Sequence, residues 1–253
     1  MVVGPAFAAA PPPPDIERYL TPARPDTDGV SATQRQLLME AGRTLGFRGG
    51  KAARAWALRE TLELEARQLD ALYDFRPLIS GQGWLPPVIN EARDVAHITS
   101  TQIRTATRVY EILLPARFVS NPPSWRRWLH AGLAATETDG PEAAVIPENR
   151  AQKALWQRAV RLGWSEGQQS ADQTLAANFN RLTRDYRGML MYSQLRQKGA
   201  ITAPVVTEQQ QTVTGDPQKL MTGDRVRRLK APAGFVADKT QWRPVLSGAQ
   251  PDD

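Results

Sequence analysis

The sequence of 253 residues contains no cysteine and only two histidines, His97 and His130. The lack of cysteine excludes disulfide bonds, thiolate metal sites and a cysteine nucleophile. Two histidines this far apart in the chain form a zinc site only if other ligands converge on one of them. The sequence also has no apolar run approaching the roughly 20 residues of a membrane-spanning helix. We therefore predict no metal site and no transmembrane segment.

The remaining composition is that of a folded chain with many turns. Hydrophobic residues make up 41% of the sequence, which also contains 20 prolines and 18 glycines. This predicts a real core that is interrupted by turns and extended segments. The formal net charge is +6, a sign that suits nucleic acid or an anionic surface. The basic residues, however, are interspersed with Glu, Gln and Asp, a pattern typical of solvated helix faces.

Residues 1–30 are rich in proline and carry little periodic apolar pattern. The segment Ala6-Phe7-Ala8 is typical of the end of an export signal, although the basic region and most of the apolar region that should precede it are missing. Four prolines follow at once, from Pro11 to Pro14, and they suit a stiff tether. We predict an extended or disordered tail over residues 1–30, with a remnant of an export signal at its start.

Residues 31–199 are predicted to form a mainly helical core. Ser31 is a suitable helix cap, and Gly49-Gly50 is expected to interrupt the first helix. The next helix carries an amphipathic stripe with one acidic interruption, and its members lie three and four residues apart. They are Ala55, Leu58, Leu62, Glu65, Leu69 and Leu72. A second long helical region follows Pro147 and ends near Gly199, with a stripe of Leu175, Phe179, Leu182, Tyr186 and Met189.

The middle of this core contains a predicted loop over residues 74–92, built around glycines and prolines. Residues 98–119 are rich in β-branched side chains, which favours a strand. The apolar residues between 103 and 113 also fit a helical period, so a helix stays open as the alternative there.

A two-stranded β-arm is predicted near the C-terminus. Residues 203–214 and 220–230 alternate apolar or Thr side chains with polar ones on either side of Gly215-Asp216-Pro217. We expect residues 203–246 to serve assembly more than the core, within a C-terminal region 200–253 of arm and tail. The predicted fold class is α+β, mainly α, with amphipathic helices packed with a smaller sheet or this β-arm.

The sharpest catalytic motif is Gly163-Trp164-Ser165-Glu166-Gly167. A serine nucleophile in a G-x-S-x-G motif needs a strand before it, a helix after it and a histidine later in the chain. Here the preceding pattern is helical and both histidines precede Ser165. We expect a joint between two helices at this motif and predict no catalytic residue. A periplasmic serine hydrolase that uses Ser165 remains the first alternative function.

A basic cluster near the C-terminus consists of Arg225, Arg227, Arg228 and Lys230. On a strand, Arg225 and Arg227 would share one face, and Arg228 and Lys230 would share the other. Both faces would then be partly exposed to solvent. The cluster could contact phosphate, but no aromatic platform for bases accompanies it. A DNA-binding protein is therefore the second alternative.

Seven short motifs follow one another along residues 31–246. They are Tyr73-Asp74-Phe75, Leu85-Pro86-Pro87-Val88, Ala116-Arg117-Phe118-Val119, Pro122-Pro123-Ser124-Trp125-Arg126, Gly163-Trp164-Ser165-Glu166-Gly167, Arg184-Asp185-Tyr186-Arg187-Gly188-Met189 and Trp242-Arg243-Pro244-Val245. In this order they resemble the landmarks of the DotC family, and the resemblance covers nearly all of the predicted folded part.

The resemblance implies a structural subunit of the outer-membrane core complex of a type IVB secretion or conjugation system. Such a subunit is not an enzyme and takes no cofactor or small-molecule substrate. It lies in the periplasm in association with the outer membrane, and it assembles with DotD-like and DotH-like subunits, other core components and copies of itself in a ring. The family carries a lipobox cysteine that this sequence lacks. We expect a chain that begins at Met1 to be held by its partners, and a chain with further upstream sequence to be cleaved near Ala8 to a soluble periplasmic protein. The DNA-binding alternative becomes an accessory protein of conjugation.

Overall fold

The structure is a computed structural model. It describes residues 30–134, 146–216 and 218–242 together with Ile16 and Leu20. The chain divides into two compact units. The first unit comprises residues 1–72 and 125–180, and the second comprises residues 73–124 and 181–253. Most of the predicted tail over residues 1–30 lies outside the described residues.

The described elements combine long helices with three two-stranded antiparallel sheets, so the predicted α+β, mainly α, class is confirmed. The helices are α1 (Ala32–Leu64), α2 (Ala66–Leu72), α3 (Arg126–Leu129) and α4 (Arg150–Gln197). The strands are β1 (Trp84–Leu85), β2 (Val88–Ile98), β3 (Ile103–Leu114), β4 (Arg117–Phe118), β5 (Val205–Asp216) and β6 (Lys219–Ala231). Short 3-10 helices span Arg76–Leu78 and Lys239–Gln241.

In the first unit, α1 runs for 33 residues without a break. Its start is capped as predicted, because the Ser31 hydroxyl accepts a hydrogen bond from the backbone nitrogen of Gln34 at 3.2 Å. The interruption predicted at Gly49-Gly50 is wrong. A Cβ atom added at Gly46 or Gly50 would come within 3.0 Å of the backbone of Val160 or Trp164 in α4. These glycines therefore let two helices touch, and that contact keeps them helical despite their intrinsic cost.

The joint predicted at Gly163-Trp164-Ser165-Glu166-Gly167 is also wrong, because α4 is one helix of 48 residues. Gly163 lies against the backbone of Arg43, and Gly167 lies against the backbone of Phe47. Gly46 contacts Val160, and Gly50, four residues later, contacts Trp164. The residue numbers of the contacts thus increase in the same direction in both helices, so α1 runs parallel to the first part of α4. Glycine is required at both positions because a side chain would strike the neighbouring backbone.

Larger side chains complete the core of the first unit on either side of this glycine contact. Leu38, Leu45, Trp156 and Val160 form one cluster, which Leu20 joins, and the Leu20 carbonyl accepts a hydrogen bond from Gln157 at 3.2 Å. A second cluster consists of Ala55, Leu133 and Ala171, with Leu58 and Leu175 packed against it.

In the second unit, β2 and β3 form a long antiparallel hairpin in which Glu91 pairs with Tyr110. The strand prediction for residues 98–119 is confirmed over Ile103–Leu114, and the helical alternative is wrong. The loop predicted over residues 74–92 is wrong from Trp84 onward, where β1 and then β2 begin. Leu85, Val88 and Ile89 are buried, so burial draws this proline-containing stretch into strands.

The predicted C-terminal arm is present as β5 and β6, in which Gln209 pairs with Val226. Its base belongs to the core, since Val206 packs against the cluster of Trp84, Ile89, Tyr192, Leu195, Ala200, Ile201 and Ala233. Gly188 of α4 lies against the backbone of Ile89 in β2, leaving no room for a side chain. Both hairpins are thus anchored at one end on α4 and its neighbours. Within the described residues, no helix combines the length and hydropathy that crossing a bilayer requires.

Candidate functional site

Ser165 lies in the middle of α4 and does not occupy a nucleophile elbow. Its hydroxyl donates a hydrogen bond to the carbonyl of Leu162 at 2.8 Å, a bond within its own helix. The neighbouring Glu166 accepts two hydrogen bonds of 2.7 Å from Arg43. That guanidinium holds the pKa of the Glu166 carboxyl below its ordinary value. The motif thus serves helix packing through its glycines and an ion pair through Glu166.

The basic cluster of β6 is divided between two faces of the hairpin, as predicted from strand alternation. Arg225 and Arg227 both bind Glu208 of β5, each at 2.9 Å. Arg227 also donates to the carbonyl of Gln82 at 3.3 Å. Arg228, which pairs with Thr207 in the register, projects from the opposite face. One carboxylate therefore offsets much of the charge on one face, which weakens this cluster as a phosphate site.

A group of charged and aromatic side chains surrounds His130 in the first unit. Arg126 binds Glu63 through two nitrogens at 2.6 and 2.9 Å, and its guanidinium stacks 4.3 Å from the centre of the Trp125 ring. The Trp125 nitrogen donates to Asp70 at 2.8 Å. His130 Nε2 is buried 3.4 Å from Glu63 Oε1, yet it makes no hydrogen bond within the described part of the chain.

Burial of the imidazole lowers the pKa of His130 below its ordinary 6.5, and the positive charge of Arg59 lowers it further. The Arg126 guanidinium lowers the pKa of Glu63. The Arg126–Glu63 pair and the hydrogen bond from Trp125 to Asp70 hold α3 on α1 and α2. No group of three or more His, Asp or Glu side chains in the described ranges is arranged to hold a metal ion.

The two long hairpins are the most unusual surfaces of the second unit. The β5 and β6 residues whose burial is described are exposed or only partly buried; they are residues 205–210, 213, 219–220, 222–223 and 225–231. Among them there is no buried face of the kind that normally stabilises a sheet. The outer parts of β2 and β3 are similar, and the apolar side chains beside their turn, Ile98 and Ile103, are each 68% exposed. Leu220, near the turn of the other hairpin, is 72% exposed.

Sequence reasoning found the second of these hairpins and missed the full length of the first. The signal was present, because Thr99-Ser100-Thr101-Gln102 separates two β-branched stretches as a turn would. Each hairpin forms a sheet of only two strands. Among the described residues, the outer edge of each of these four strands therefore lacks a neighbouring strand.

Comparison with known proteins adds a family to this geometry. Residues 32–244 match the profile of a family described as type IV secretory system, conjugal DNA-protein transfer (T4SS_TraI). No curated protein matches the chain. Since the matched segment covers most of the chain, this protein belongs to that family and takes part in conjugal DNA-protein transfer by a type IV secretory system.

Proposed function

We propose that this chain is a structural subunit of the outer-membrane core complex of a type IVB system, equivalent to the DotC family. In this proposal the chain is exported to the periplasm, associates with the outer membrane and has no catalytic activity. It binds DotD-like and DotH-like subunits and, through them, other core components. Family membership supports the assignment to a type IV secretory system, and the motif order from Tyr73 to Val245 supports the DotC-like role.

The observation that carries the scaffold role is the pair of solvent-exposed hairpins in the second unit. A two-stranded hairpin has marginal stability in water, and its outer edges present backbone donors and acceptors that a further strand can use. Soluble proteins usually keep such edges short or covered. Strands of 12 and 13 residues in β5 and β6 are therefore suited to pairing with a strand of a neighbouring subunit.

Neither alternative function gains an observation of its own. Ser165 has a helix in front of it, where a nucleophile elbow has a strand, and its hydroxyl is engaged with Leu162. In the basic cluster, Arg225 and Arg227 form ion pairs with Glu208. A serine hydrolase and a DNA-binding accessory protein are thus less well supported than a scaffold.

The test is a protein with a shortened C-terminal hairpin. Residues 210–225 are removed, and Gln209 is joined to Val226 by Asn-Gly, which favours the tight turn of a two-residue hairpin. This change retains Val206 at the core and the pairing of Glu208 with Arg227. Deletion of everything after Gly199 would be a poorer test, because it would remove the buried residues Ile201 and Ala233.

We expect the shortened protein to keep its far-UV spectrum and melting temperature, because the described side chains that it loses are exposed. In cells that express the whole system, we expect it to lose co-purification with the DotD-like and DotH-like subunits. Retention of both partners by a folded, shortened protein would refute the role of this hairpin. An equivalent variant tests β2 and β3 separately: residues 93–108 are removed, and Ala92 is joined by Asn-Gly to Val109, with which it pairs in the other hairpin.

A further inference from the structure

A groove with a mostly apolar lining runs along the first unit, between the end of α1, α2 and the facing part of α4. Its volume is about 540 Å³, enough for several side chains of a ligand. Its lining residues are Leu58, Thr61, Leu62, Glu65, Gln68, Leu69, Leu72, Leu175 and Phe179. None of them belongs to either hairpin, so binding in this groove can be tested independently of the role proposed for the hairpins.

The groove begins where the helix contact changes in character. Gly46 and Gly50 of α1 let its backbone touch α4, but the stripe then continues with Leu58 and Leu62. On the facing helix, Gly163 and Gly167 are likewise followed by Leu175 and Phe179. Large side chains hold two helices further apart than glycines do. The groove therefore lies where large side chains replace the glycines of the close contact. Leu62 and Leu69 in its wall are already buried by the chain, whereas Leu72 is largely exposed.

The spacing of the lining residues is that of a coiled-coil seam. Leu58, Leu62, Glu65, Leu69 and Leu72 follow each other by four, three, four and three residues, which is the spacing of heptad positions a and d. In a coiled coil these positions contact another helix. Leu72 is 62% exposed, so part of this seam is uncovered on the chain itself. A third helix in the groove would bury it.

Glu65 is the one charged residue of the seam. It lies between α1 and α2 and is exposed, and no Lys or Arg in the described part of the chain forms an ion pair with it. A single polar residue at a seam position selects a partner and fixes its register. Here the negative charge favours a helix with a positive charge at the facing position, and it penalises one with a negative charge.

We propose that this groove binds an amphipathic helix of a partner subunit, with apolar residues at heptad spacing and one Lys or Arg opposite Glu65. The apolar anchors supply affinity by leaving water, and the ion pair with Glu65 sets the register. Because Leu62 and Leu69 are already buried, the anchors of the bound helix would lie against Leu58 and Leu72 on one side and against Leu175 and Phe179 on the other.

The test uses the whole chain and a fluorescent peptide of three heptads with leucine at a and d, in which lysine replaces one central leucine. A matched peptide carries glutamate in place of that lysine. In fluorescence anisotropy titrations, we expect the lysine peptide to bind about tenfold or more tightly than the glutamate peptide, because opposed like charges disfavour the complex. Glu65→Lys should reverse this preference.

Leu72→Asp places a charge in the groove and should weaken the lysine peptide by about tenfold or more. Leu64→Asp is the matched control, since Leu64 is 84% exposed and lies outside the lining; it should leave binding unchanged. Equal affinity for the two peptides, no binding of either, or equal effects of the two Asp variants would overturn the proposal. So would a wild-type dimer that Leu72→Asp dissociates in light scattering, because a second copy would then occupy the groove.

Discussion

At the scale of single residues, the glycines of α1 and α4 fix how closely the two helices approach. We predict that Gly163→Ala destabilises the protein, because the new Cβ would lie within 3.0 Å of the backbone of Arg43. Alanine gains about 1 kcal/mol over glycine in helix propensity, whereas overpacking of this kind costs about 1–3 kcal/mol. Collision with backbone belongs at the upper end of that range, so we expect a net loss in denaturant unfolding followed by circular dichroism.

Ser165→Ala is the matched control for that variant, two residues further along the same helix. The Ser165 side chain is exposed and bonds only within its helix in the described structure, so its loss should change the free energy of unfolding by less than about 0.5 kcal/mol. Conjugal transfer should also persist in Ser165→Ala cells. A transfer defect with normal abundance would restore the hydrolase hypothesis, and a more stable Gly163→Ala protein would contradict the close contact.

His130 gives the protein a pH dependence of predictable sign. Burial lowers the pKa of His130 below 6.5, so the unfolded chain binds a proton before the folded protein does. Stability from this group is therefore complete above pH 6.5 and is lost as pH falls through the folded pKa. Arg59 and Arg126 oppose protonation, and Glu63 favours it. The Arg126 pair keeps Glu63 charged throughout this range.

We expect His130→Gln to flatten the dependence of unfolding free energy on pH just below 6.5. Urea unfolding of both proteins on either side of that pH measures the effect. The carboxylates with lowered pKa, such as Glu63 and Glu166, titrate below 4.5. They therefore do not contribute to the pH dependence just below 6.5, where His130 is expected to act. Identical slopes for the wild type and the variant would show that His130 titrates alike in the folded and unfolded chains.

At the scale of elements, the sequence predicted well those features that depend on local pattern. The cap at Ser31 follows from local hydrogen bonding, the strand at Ile103–Leu114 from β-branched composition, and the C-terminal hairpin from side-chain alternation. The two wrong breaks, at Gly49-Gly50 and at Gly163 to Gly167, have one cause. Glycine lowers helix propensity locally, but its use for close helix contact depends on a segment more than 100 residues away, which a single sequence does not reveal.

The hairpins show the same limit at the candidate site. Alternation in residues 203–230 predicted an arm, but it could not distinguish its anchored base from its exposed end. Val206 and Ala233 contact the core around Trp84 and Tyr192, and those residues come from distant parts of the sequence. The heptad stripe of Leu58 to Leu72 was visible in the sequence, whereas the groove beside it depends on α4.

At the scale of the whole molecule, the motif order predicted a component of a type IV secretion or conjugation system, and the profile match places the chain in type IV conjugal transfer. The DotC-like role within that system stays a prediction. The fold does not by itself identify the compartment or the partners. Antiparallel hairpins and leucine grooves are general means of binding, and they do not identify the subunit that binds. Export is therefore best tested directly.

We predict that the protein reaches the periplasm, as the proposed role in the envelope requires. The motivation is the small-residue segment Ala6-Phe7-Ala8 and the prolines behind it. The reading frame, with its upstream genomic DNA, is fused to alkaline phosphatase, whose disulfides form only in an oxidising compartment. Because this chain has no cysteine, it adds no competing thiol to that readout. We expect phosphatase activity and recovery of the fusion in the envelope or periplasmic fraction. A fusion that starts at Ser31 is the control and should remain inactive in the cytoplasm. An intact, inactive fusion of the full frame would refute the periplasmic proposal and leave membership of the conjugal transfer family unchanged.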